Sequence, residues 1–499
     1  MNKLTFASAG LSSCKDRIFM FYPPGALYQR GEDRCQGNVS DSTATAMRAP
    51  NDMGYLSAIL KQKGHDVFFR DYQTERLSLD ILKVDFVDFS PSIIVLSVTN
   101  TTIKEDVEIA TELKALKKDI SIILKGALFF DPNDELFNVI DLSGIDYLVG
   151  GESEFAISEI VDCSREKNMD ALSKINGILF RGKDGNWVKT NFSIWETDLD
   201  LLPYPDRGII NNRLYLRPDT GRPQATIVTS RGCPASCVYC LTPTISGRKV
   251  RYRTPENILG ELRECYHKFG ISDFFFRSDT FTINSEWVRD LCGAITASEL
   301  SGKIQWVANS RVKPLAEDTL KIMKDAGCWL VAFGFESGSD ESLILMKKGA
   351  SVQDNLRAAR LAKKAGLEIF GFYMMGLPWE NWKNLEETKQ HIYEIDADYV
   401  EIHIAIPYFG TKLYDIAKEY HLINETVIGK DYFNAPTIGT KYIPIKQILE
   451  YRKTLLLEYH FRWRFLRKKI LKAVSNPIVL KNYIIFALRL IKNNVYRKV

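Results

Sequence analysis

The first third of the chain alternates short apolar runs with longer segments in which apolar residues recur at helical spacing. The apolar runs predict five strands, at 17–22, 65–72, 91–99, 121–126 and 144–151. The helical spacing predicts helices over 51–64, 103–117 and 153–167. This alternation indicates βαβ units and a parallel, doubly wound sheet, in which ligands bind at the carboxyl ends of the strands.

Those strand ends carry small and polar residues. The third strand is followed by the hydroxyl-rich segment 97–102, the fourth by 125–127, and the fifth by 150–154. Glycines there permit a close approach of ligand to backbone, and ordinary turn formation explains them equally well. No GxGxxG sequence follows the first strand, so a dinucleotide-binding fingerprint is absent from the sequence.

A second alternating region follows a less regular stretch. Residues 175–190 predict a hairpin, and two prolines within 201–208 indicate a linker. Six more strands are predicted at 224–230, 273–279, 304–310, 329–337, 368–376 and 399–407, with helices such as 254–270, 316–326 and 351–365 between them. This content predicts a partial (β/α)6 barrel with functional residues at the carboxyl ends of its strands.

We therefore divide the chain into four parts. They are a doubly wound domain (1–168), a hairpin and linker (169–222), the barrel (223–420) and a C-terminal region (421–499). The overall fold class is α/β.

Composition adds one asymmetry to this picture. The 499 residues are 45% hydrophobic with a net charge of +4, yet residues 451–499 hold 13 Lys and Arg against one acidic residue, Glu458. Apolar residues at helical spacing within this tail predict basic helices, and packing on the barrel and binding to an anionic membrane surface both remain open. We see no nucleic-acid-binding module. Without a signal peptide or a long apolar run, we expect a cytoplasmic protein.

Three of the nine cysteines, Cys233, Cys237 and Cys240, cluster after the first predicted barrel strand. Structural zinc usually takes four ligands, and a disulfide would leave one thiol over. A four-iron cluster held by three thiolates instead leaves one iron open to a small molecule. The other six cysteines are scattered, and Cys35, in a charged loop over 22–37, is no convincing fourth ligand.

This CxxxCxxC loop resembles the radical S-adenosylmethionine superfamily. There the open iron chelates S-adenosylmethionine, and one electron from the cluster cleaves it to methionine and a 5′-deoxyadenosyl radical. The resemblance continues in order through 276–282, 307–311, 331–349, 373–381 and 406–418. It implies cofactor contacts by Tyr239, Asp279, Asn309, Arg311 and Glu336.

The doubly wound domain before such a barrel resembles the cobalamin-binding, class B methyltransferase-like subgroup. That resemblance implies that cobalamin contacts come from the three strand-end segments, through Ser97, Thr99, Gly126, Gly150, Gly151 and Glu152. The sequence departs from other cobalamin domains because it has no DxHxxG motif, so we expect no histidine ligand to cobalt.

The resemblance implies methylation of an unactivated carbon, with a 4Fe-4S cluster, S-adenosylmethionine and cobalamin as cofactors. It also implies a small-molecule or lipid-like substrate and a reductant such as flavodoxin or ferredoxin. The alternative is an oxidative cyclase of the same subgroup, which uses the same cofactors without methyl transfer. A binding protein with a degenerate enzyme fold is disfavoured by the intact cysteine triplet.

Overall fold

The structure is a computed structural model of the full chain. It describes residues 15–30, 47–130, 132, 134–164, 168–192, 195–423, 426–431, 436, 438–474 and 476–492. Residues 31–37 of the charged loop over 22–37, with Cys35, and the end of the basic tail lie outside these residues.

The N-terminal sheet has seven strands in the order β2-β1-β3-β4-β5-β6-β7. They are β1 (Arg17–Tyr22), β2 (Asp66–Asp71), β3 (Ile93–Ser97), β4 (Ser121–Lys125), β5 (Tyr147–Val149), β6 (Ile178–Arg181) and β7 (Trp187–Lys189). The first five are parallel. This confirms the doubly wound domain that was predicted from five apolar runs.

Helices cover both faces of this sheet, because alternate residues of its strands are buried in two separate cores. Phe19 and Phe21 of β1 belong to one core, and Ile18 and Met20 belong to the other. The helices are α1 (Asn51–Gln62), α2 (Tyr72–Glu75), α3 (Leu79–Phe89), α4 (Ile103–Leu116), α5 (Asp134–Val139), α6 (Glu154–Ser164) and α7 (Met169–Leu172).

The predicted hairpin forms β6 and β7 and extends the N-terminal sheet. Strand β6 pairs antiparallel with β5, and β7 pairs antiparallel with β6. The sequence pattern predicts this hairpin as part of a separate region, because it does not show with which strand the hairpin pairs.

The second sheet is six-stranded and parallel, in the order β15-β14-β13-β12-β11-β8. The short strands β9 and β10 form a separate antiparallel pair. The strands are β8 (Gln224–Val228), β9 (Ser230–Arg231), β10 (Arg251–Tyr252), β11 (Asp273–Arg277), β12 (Gln305–Ser310), β13 (Cys328–Glu336), β14 (Glu368–Met375) and β15 (Tyr399–Ile404). All six predicted barrel strands are confirmed.

Helices pack on the outer face of this sheet around the largest core of the molecule. They are α9 (Pro255–Phe269), α10 (Ser285–Ala297), α11 (Glu317–Asp325), α13 (Val352–Lys364) and α14 (Trp382–Ile395). Three shorter helices are α8 (Thr242–Ser246), α12 (Asp340–Leu345) and α15 (Lys412–Glu419), of which α12 and α15 join a separate small core with Val238 of the cysteine loop. Helix α9 begins as its sequence predicts, with the Thr254 side chain accepting a hydrogen bond from the Asn257 amide, and it ends at Gly270 with φ +66°.

Three C-terminal helices close the amino end of the barrel: α16 (Ile445–Phe461), α17 (Trp463–Ala473) and α18 (Pro477–Ile491). Tyr459 and Leu490 join the barrel core. Lys472 pairs with Glu368, the first residue of β14, at 2.5 Å. The tail therefore packs on the barrel, which is one of the two arrangements that its sequence leaves open. No helix in the described part of the chain is long and apolar enough to cross a bilayer.

Candidate functional site

The cysteine loop lies between β9 and α8 and is fastened to its surroundings by backbone hydrogen bonds. The amide of Cys233 donates to the Gly247 carbonyl at 3.1 Å, and the amide of Val238 donates to the Met346 carbonyl at 3.0 Å. Gly232 has φ +95°, and a Cβ there would lie 2.2 Å from a carbonyl oxygen, so the turn into the loop requires glycine.

The three loop thiols are free, and they lie close enough to affect one another. Cys233 and Cys237 are buried and Cys240 is partly buried. Burial raises the pKa of Cys233, and the neighbouring thiols of Cys240 and Cys237 raise it further. The fold therefore brings together three sulfur donors that the sequence spaces four and three residues apart.

A positively charged side chain and a backbone N–H group lie next to these sulfurs. A guanidinium nitrogen of Arg311 lies 3.6 Å from the Cys237 Sγ. The Thr242 amide donates to the Cys240 Sγ at 3.4 Å. Burial lowers the pKa of Arg311, but Cys237 more than offsets this and the net shift is upward. Such neighbours stabilise thiolates, which are the ligand form of cysteine.

The chemistry of this donor set fits an iron–sulfur cluster. Within the described residues, no group of three His, Cys, Asp or Glu side chains is arranged around a single metal ion. A cubane cluster makes a different demand, because each thiolate binds a separate iron. Three soft thiolates with adjacent N–H donors and a cation match what such clusters use.

Three of the five predicted S-adenosylmethionine contacts lie together beside the loop. Lys348 Nζ lies 2.8 Å from Glu336 Oε1 and 3.4 Å from the Tyr239 hydroxyl. Arg311 donates to the backbone carbonyl of Lys348. Glu336 has φ +66°, which is unusual for a residue with a side chain and indicates a position enforced by its surroundings. Burial, and then Glu336, raise the pKa of Tyr239 well above its ordinary value.

The other two predicted contacts have different environments. Asp279 accepts a hydrogen bond from the Gly232 amide at 2.8 Å, so it supports the base of the cysteine loop. Asn309 lies on β12 and lines a cavity inside the barrel. Sequence reasoning missed Lys348, although it falls within the segment 331–349, because its role depends on its approach to Glu336 in space.

The strand-end segments of the N-terminal sheet are packed against other parts of the chain. Thr99 and Thr102 share a hydroxyl–hydroxyl hydrogen bond of 3.0 Å. The Asn100 side chain donates to the Val427 carbonyl at 2.8 Å. The Ser97 hydroxyl is buried and has no hydrogen-bond partner among the described residues. An unsatisfied buried hydroxyl at this edge fits a site for a polar ligand group.

Two of the predicted cobalamin contacts are glycines that the protein itself requires. A Cβ on Gly150 would lie 2.4 Å from the Phe130 amide nitrogen, and one on Gly126 would lie 2.8 Å from the Val98 carbonyl oxygen. Gly151 has a left-handed φ of +70°. Close backbone packing and turn geometry therefore account for these glycines without a ligand.

Glu152, the remaining predicted cobalamin contact, links the two domains. Its carboxylate lies 2.5 Å from a guanidinium nitrogen of Arg251, and the carboxylate of Glu154 lies 2.5 Å from one of Arg231. Arg231 ends strand β9, one residue before the loop glycine. The carboxyl edges of both sheets therefore face each other.

A polar cavity of about 60 Å³ lies at this junction. Tyr55, Gly151 and Glu152 line it from the N-terminal domain, and Ser230 and Arg277 line it from the barrel. The Tyr55 hydroxyl is buried and has no hydrogen-bond partner among the described residues. The cavity has room for a few water-sized groups, such as polar side groups of a larger cofactor. The junction fits contact with cobalamin in that restricted sense.

Comparison with known proteins agrees with this geometry. Residues 227–392 match the model of the radical SAM superfamily, and this range spans the cysteine loop and β8 to β14. An uncharacterized methyltransferase from Pyrococcus horikoshii is 29% identical over 84% of this chain and 90% of its own length. An anaerobic magnesium-protoporphyrin IX monomethyl ester cyclase from Cereibacter sphaeroides is 25% identical over 83% of this chain and 68% of its own length.

Solved structures share the fold of nearly the whole chain. The superposition with the cobalamin-dependent S-adenosylmethionine radical enzyme OxsB covers 96% of this chain and 72% of the OxsB chain, with a TM-score of 0.69 and 16% identity. The radical S-adenosylmethionine methyltransferase TsrM from Kitasatospora setae covers 82% of this chain and 77% of its own, with a TM-score of 0.63 and 18% identity. Residues 227–392 are thus a radical SAM domain, and the chain as a whole shares the two-domain fold of the cobalamin-dependent enzyme OxsB and the methyltransferase TsrM.

Proposed function

We propose that this enzyme transfers a methyl group to an unactivated carbon. S-adenosylmethionine and a 4Fe-4S cluster on Cys233, Cys237 and Cys240 would act in the barrel mouth, with cobalamin at the carboxyl edge of the N-terminal sheet. The observation that carries the proposal is the direct apposition of these two edges through Glu154–Arg231 and Glu152–Arg251. Groups bound at the two edges would meet at one reaction site.

When bound, the cluster and S-adenosylmethionine supply hydrogen abstraction, and cobalamin supplies a methyl carrier. The chain itself supplies placement and shielding. Arg311 and the Thr242 amide stabilise charge on the sulfurs. The buried ion pairs hold the carboxyl edges of the two sheets together, and this enclosure protects reactive species from side reactions.

We infer that Tyr239, Arg311 and Glu336 bind S-adenosylmethionine and that Lys348 holds the Glu336 carboxylate in place. Asp279 then contributes through the loop turn at Gly232, and Asn309 faces the substrate space below. Ser97, Thr99, Gly126, Gly150, Gly151 and Glu152 form the edge at which we expect cobalamin to bind.

The decisive experiment is anaerobic reconstitution of alanine variants at each loop cysteine. We expect each variant to lose cluster iron and to stop forming 5′-deoxyadenosine from S-adenosylmethionine under reducing conditions. Cys292→Ala is the matched control, since Cys292 is a buried cysteine on α10, away from the loop. Continued 5′-deoxyadenosine formation by any loop variant would contradict the assignment.

An oxidative cyclase is the second candidate, favoured by the similarity to the Cereibacter sphaeroides cyclase. Both candidates use the same cofactors, so the mass of the product separates them. Addition of one methyl group supports methylation, and insertion of oxygen with ring closure supports the cyclase.

Two partners complete the proposal. A low-potential carrier such as flavodoxin or ferredoxin would provide the electron that the cluster chemistry needs. An anionic membrane would bind helices α17 and α18, which expose Leu471, Val474, Ile478 and Leu488 to solvent. The first partner is tested by 5′-deoxyadenosine formation with each carrier in place of a chemical reductant.

A further inference from the structure

A cavity of about 240 Å³ lies inside the barrel, between its strands and the C-terminal helices. Aromatic rings dominate its wall. The strands contribute Phe275, Trp329, Phe370, Phe372 and Tyr399, and the helices contribute Phe461, Phe465, Tyr483 and Phe486. Rings of this kind stack on flat apolar molecules through their faces and edges. The wall therefore favours a ligand with an aromatic or polycyclic body.

One end of the cavity lies near the reaction site that we propose. Asn309 lines it, and Arg311, two residues further along β12 and its following loop, contacts Cys237. In the sheet register Asn309 is level with Ala332, Phe370 and Tyr399 on successive strands. Tyr399 therefore lies three strand spacings from Asn309, about 14 Å along the curved sheet.

A buried lysine lies at the Tyr399 side of the cavity. The Lys469 side chain, on α17, is only 9% exposed. Its Nζ lies 3.5 Å from the ring centroid of Tyr399 and 5.6 Å from that of Tyr483. Lys469 forms no ion pair with any carboxylate among the described residues. Burial lowers its pKa to about 8, so the amine remains largely protonated at neutral pH.

Three acidic groups act on this lysine from a distance, Glu368, Asp398 and Asp219, and none of them forms an ion pair with it. Glu368 pairs through one oxygen with Lys472 at 2.5 Å, Asp398 accepts a hydrogen bond from the Ile369 amide at 3.0 Å, and Asp219 pairs with Arg217 at 2.6 Å. Arg217 also lines the cavity, but its charge is taken up by that pair. A buried charge without an ionic partner is costly unless a ligand pairs with it.

We propose that this cavity binds the substrate as an apolar, flat-bodied organic anion. Its anionic group pairs with Lys469, its ring system packs against the aromatic wall, and its opposite end approaches Asn309 beneath the cysteine loop. Phe461, which is 40% exposed, marks the mouth through which such a molecule enters. The assignment of this ligand as the substrate rests on the proposed function, whereas its binding does not.

Two fluorescent probes with closely related bodies test the binding directly. Anilinonaphthalene sulfonate carries an anion, and phenylnaphthylamine is its uncharged counterpart. Both are titrated into the reconstituted full-length chain. We expect Lys469→Gln to weaken binding of the sulfonate about ten-fold, since a charge-assisted contact is lost, and to leave the neutral probe unchanged. The matched control is Arg467→Gln, which removes an exposed positive charge from the same helix.

A second variant locates the probes. Ala487 lines the cavity from α18, and Ala487→Trp should exclude both probes by filling it. Equal sulfonate binding in wild type and Lys469→Gln, equal losses in Lys469→Gln and Arg467→Gln, or full binding to Ala487→Trp would each overturn the proposal. Formation of 5′-deoxyadenosine without substrate is measured on the same samples. If no 5′-deoxyadenosine forms, the result counts against the proposed function, whereas binding of the probes still tests whether the cavity holds an organic anion.

Discussion

Arg311 connects the cysteine loop to the barrel wall, because its guanidinium contacts both the Cys237 sulfur and the Lys348 carbonyl. A positive charge beside a cluster favours the reduced form, in which the cluster carries more negative charge. We predict that Arg311→Ala makes the cluster harder to reduce, with a more negative midpoint potential in a redox titration followed by electron paramagnetic resonance. Arg311→Lys, which keeps the charge, should shift the potential less. Equal shifts in the two variants would contradict the electrostatic explanation.

Glu380 is a fully buried carboxyl in the turn after β14. One oxygen accepts hydrogen bonds from the Gly376 and Leu377 amides at 2.9 and 3.1 Å, and the other lies 3.2 Å from the Ser342 hydroxyl. Burial nevertheless raises the pKa of Glu380 from 4.5 to about 7. The folded chain therefore holds this proton more tightly than the unfolded chain does.

The sign of the resulting pH dependence follows from that difference. The stabilisation from Glu380 protonation is complete below pH 4.5 and is lost as the pH rises to about 7. We predict that the free energy of unfolding contains a component that falls by up to roughly 3 kcal/mol across this range. Glu380→Gln should remove that component in urea titrations, and Glu419→Gln, at an exposed position, should retain it. An unchanged pH profile in Glu380→Gln would refute the prediction.

At the residue scale, the sequence predicts sites whose residues are close together in the chain. It does not predict contacts between residues that are distant in the chain and meet only in the folded structure. The three cysteines share one short loop, so their spacing indicates a soft-metal site. Lys348 and Lys469 have no comparable sequence pattern. Lys348 forms an ion pair with Glu336, and Lys469 lines the cavity because helix α17 packs at the amino end of the barrel.

At the element scale, apolar runs predict the strands well because parallel strands are covered on both faces, even where β12 and β14 alternate buried with partly buried residues. The strands β1 to β5 and the six barrel strands follow from this property. The partner of the β6–β7 hairpin and the short β9–β10 pair could not be predicted, since pairing depends on which edge is available. The C-terminal helices bury one face against the barrel and expose another face to solvent.

The exposed face of the C-terminal helices is the basis for a prediction of membrane binding. Leu471 on α17, Val474 directly after it and Leu488 on α18 are 68%, 75% and 60% exposed, and five of the eleven residues of α17 are basic. We predict that the full chain sediments with vesicles containing phosphatidylglycerol, and that binding weakens in high salt. Glutamine at all three positions should reduce the bound fraction. As a control, Val84→Gln with Val87→Gln changes two exposed apolar residues on α3, and equal losses in the two variants would contradict a specific face.

At the scale of the whole molecule, the proposed chemistry depends on the junction between the domains. Burial raises the pKa of Glu154, but Arg231 more than offsets this and the net shift is downward. The carboxylate is therefore charged and paired at neutral pH. Breaking a buried pair by removing one partner typically costs about 3–5 kcal/mol, because the remaining charge stays buried. Replacing Glu152 and Glu154 together leaves Arg231 and Arg251 in that state.

We predict that Glu152→Gln combined with Glu154→Gln uncouples the two halves of the reaction. The cysteine loop and its contacts with Arg311 lie within the barrel, so cluster iron and 5′-deoxyadenosine formation should persist. Cobalamin affinity and the formation of S-adenosylhomocysteine should fall, because both need the N-terminal edge against the barrel mouth. Glu299→Gln, which breaks an exposed pair with Arg263, should change neither product. If both products fell together in the double variant, the junction would support the barrel fold rather than align two cofactors, and the facing-edge argument for methyl transfer would fail.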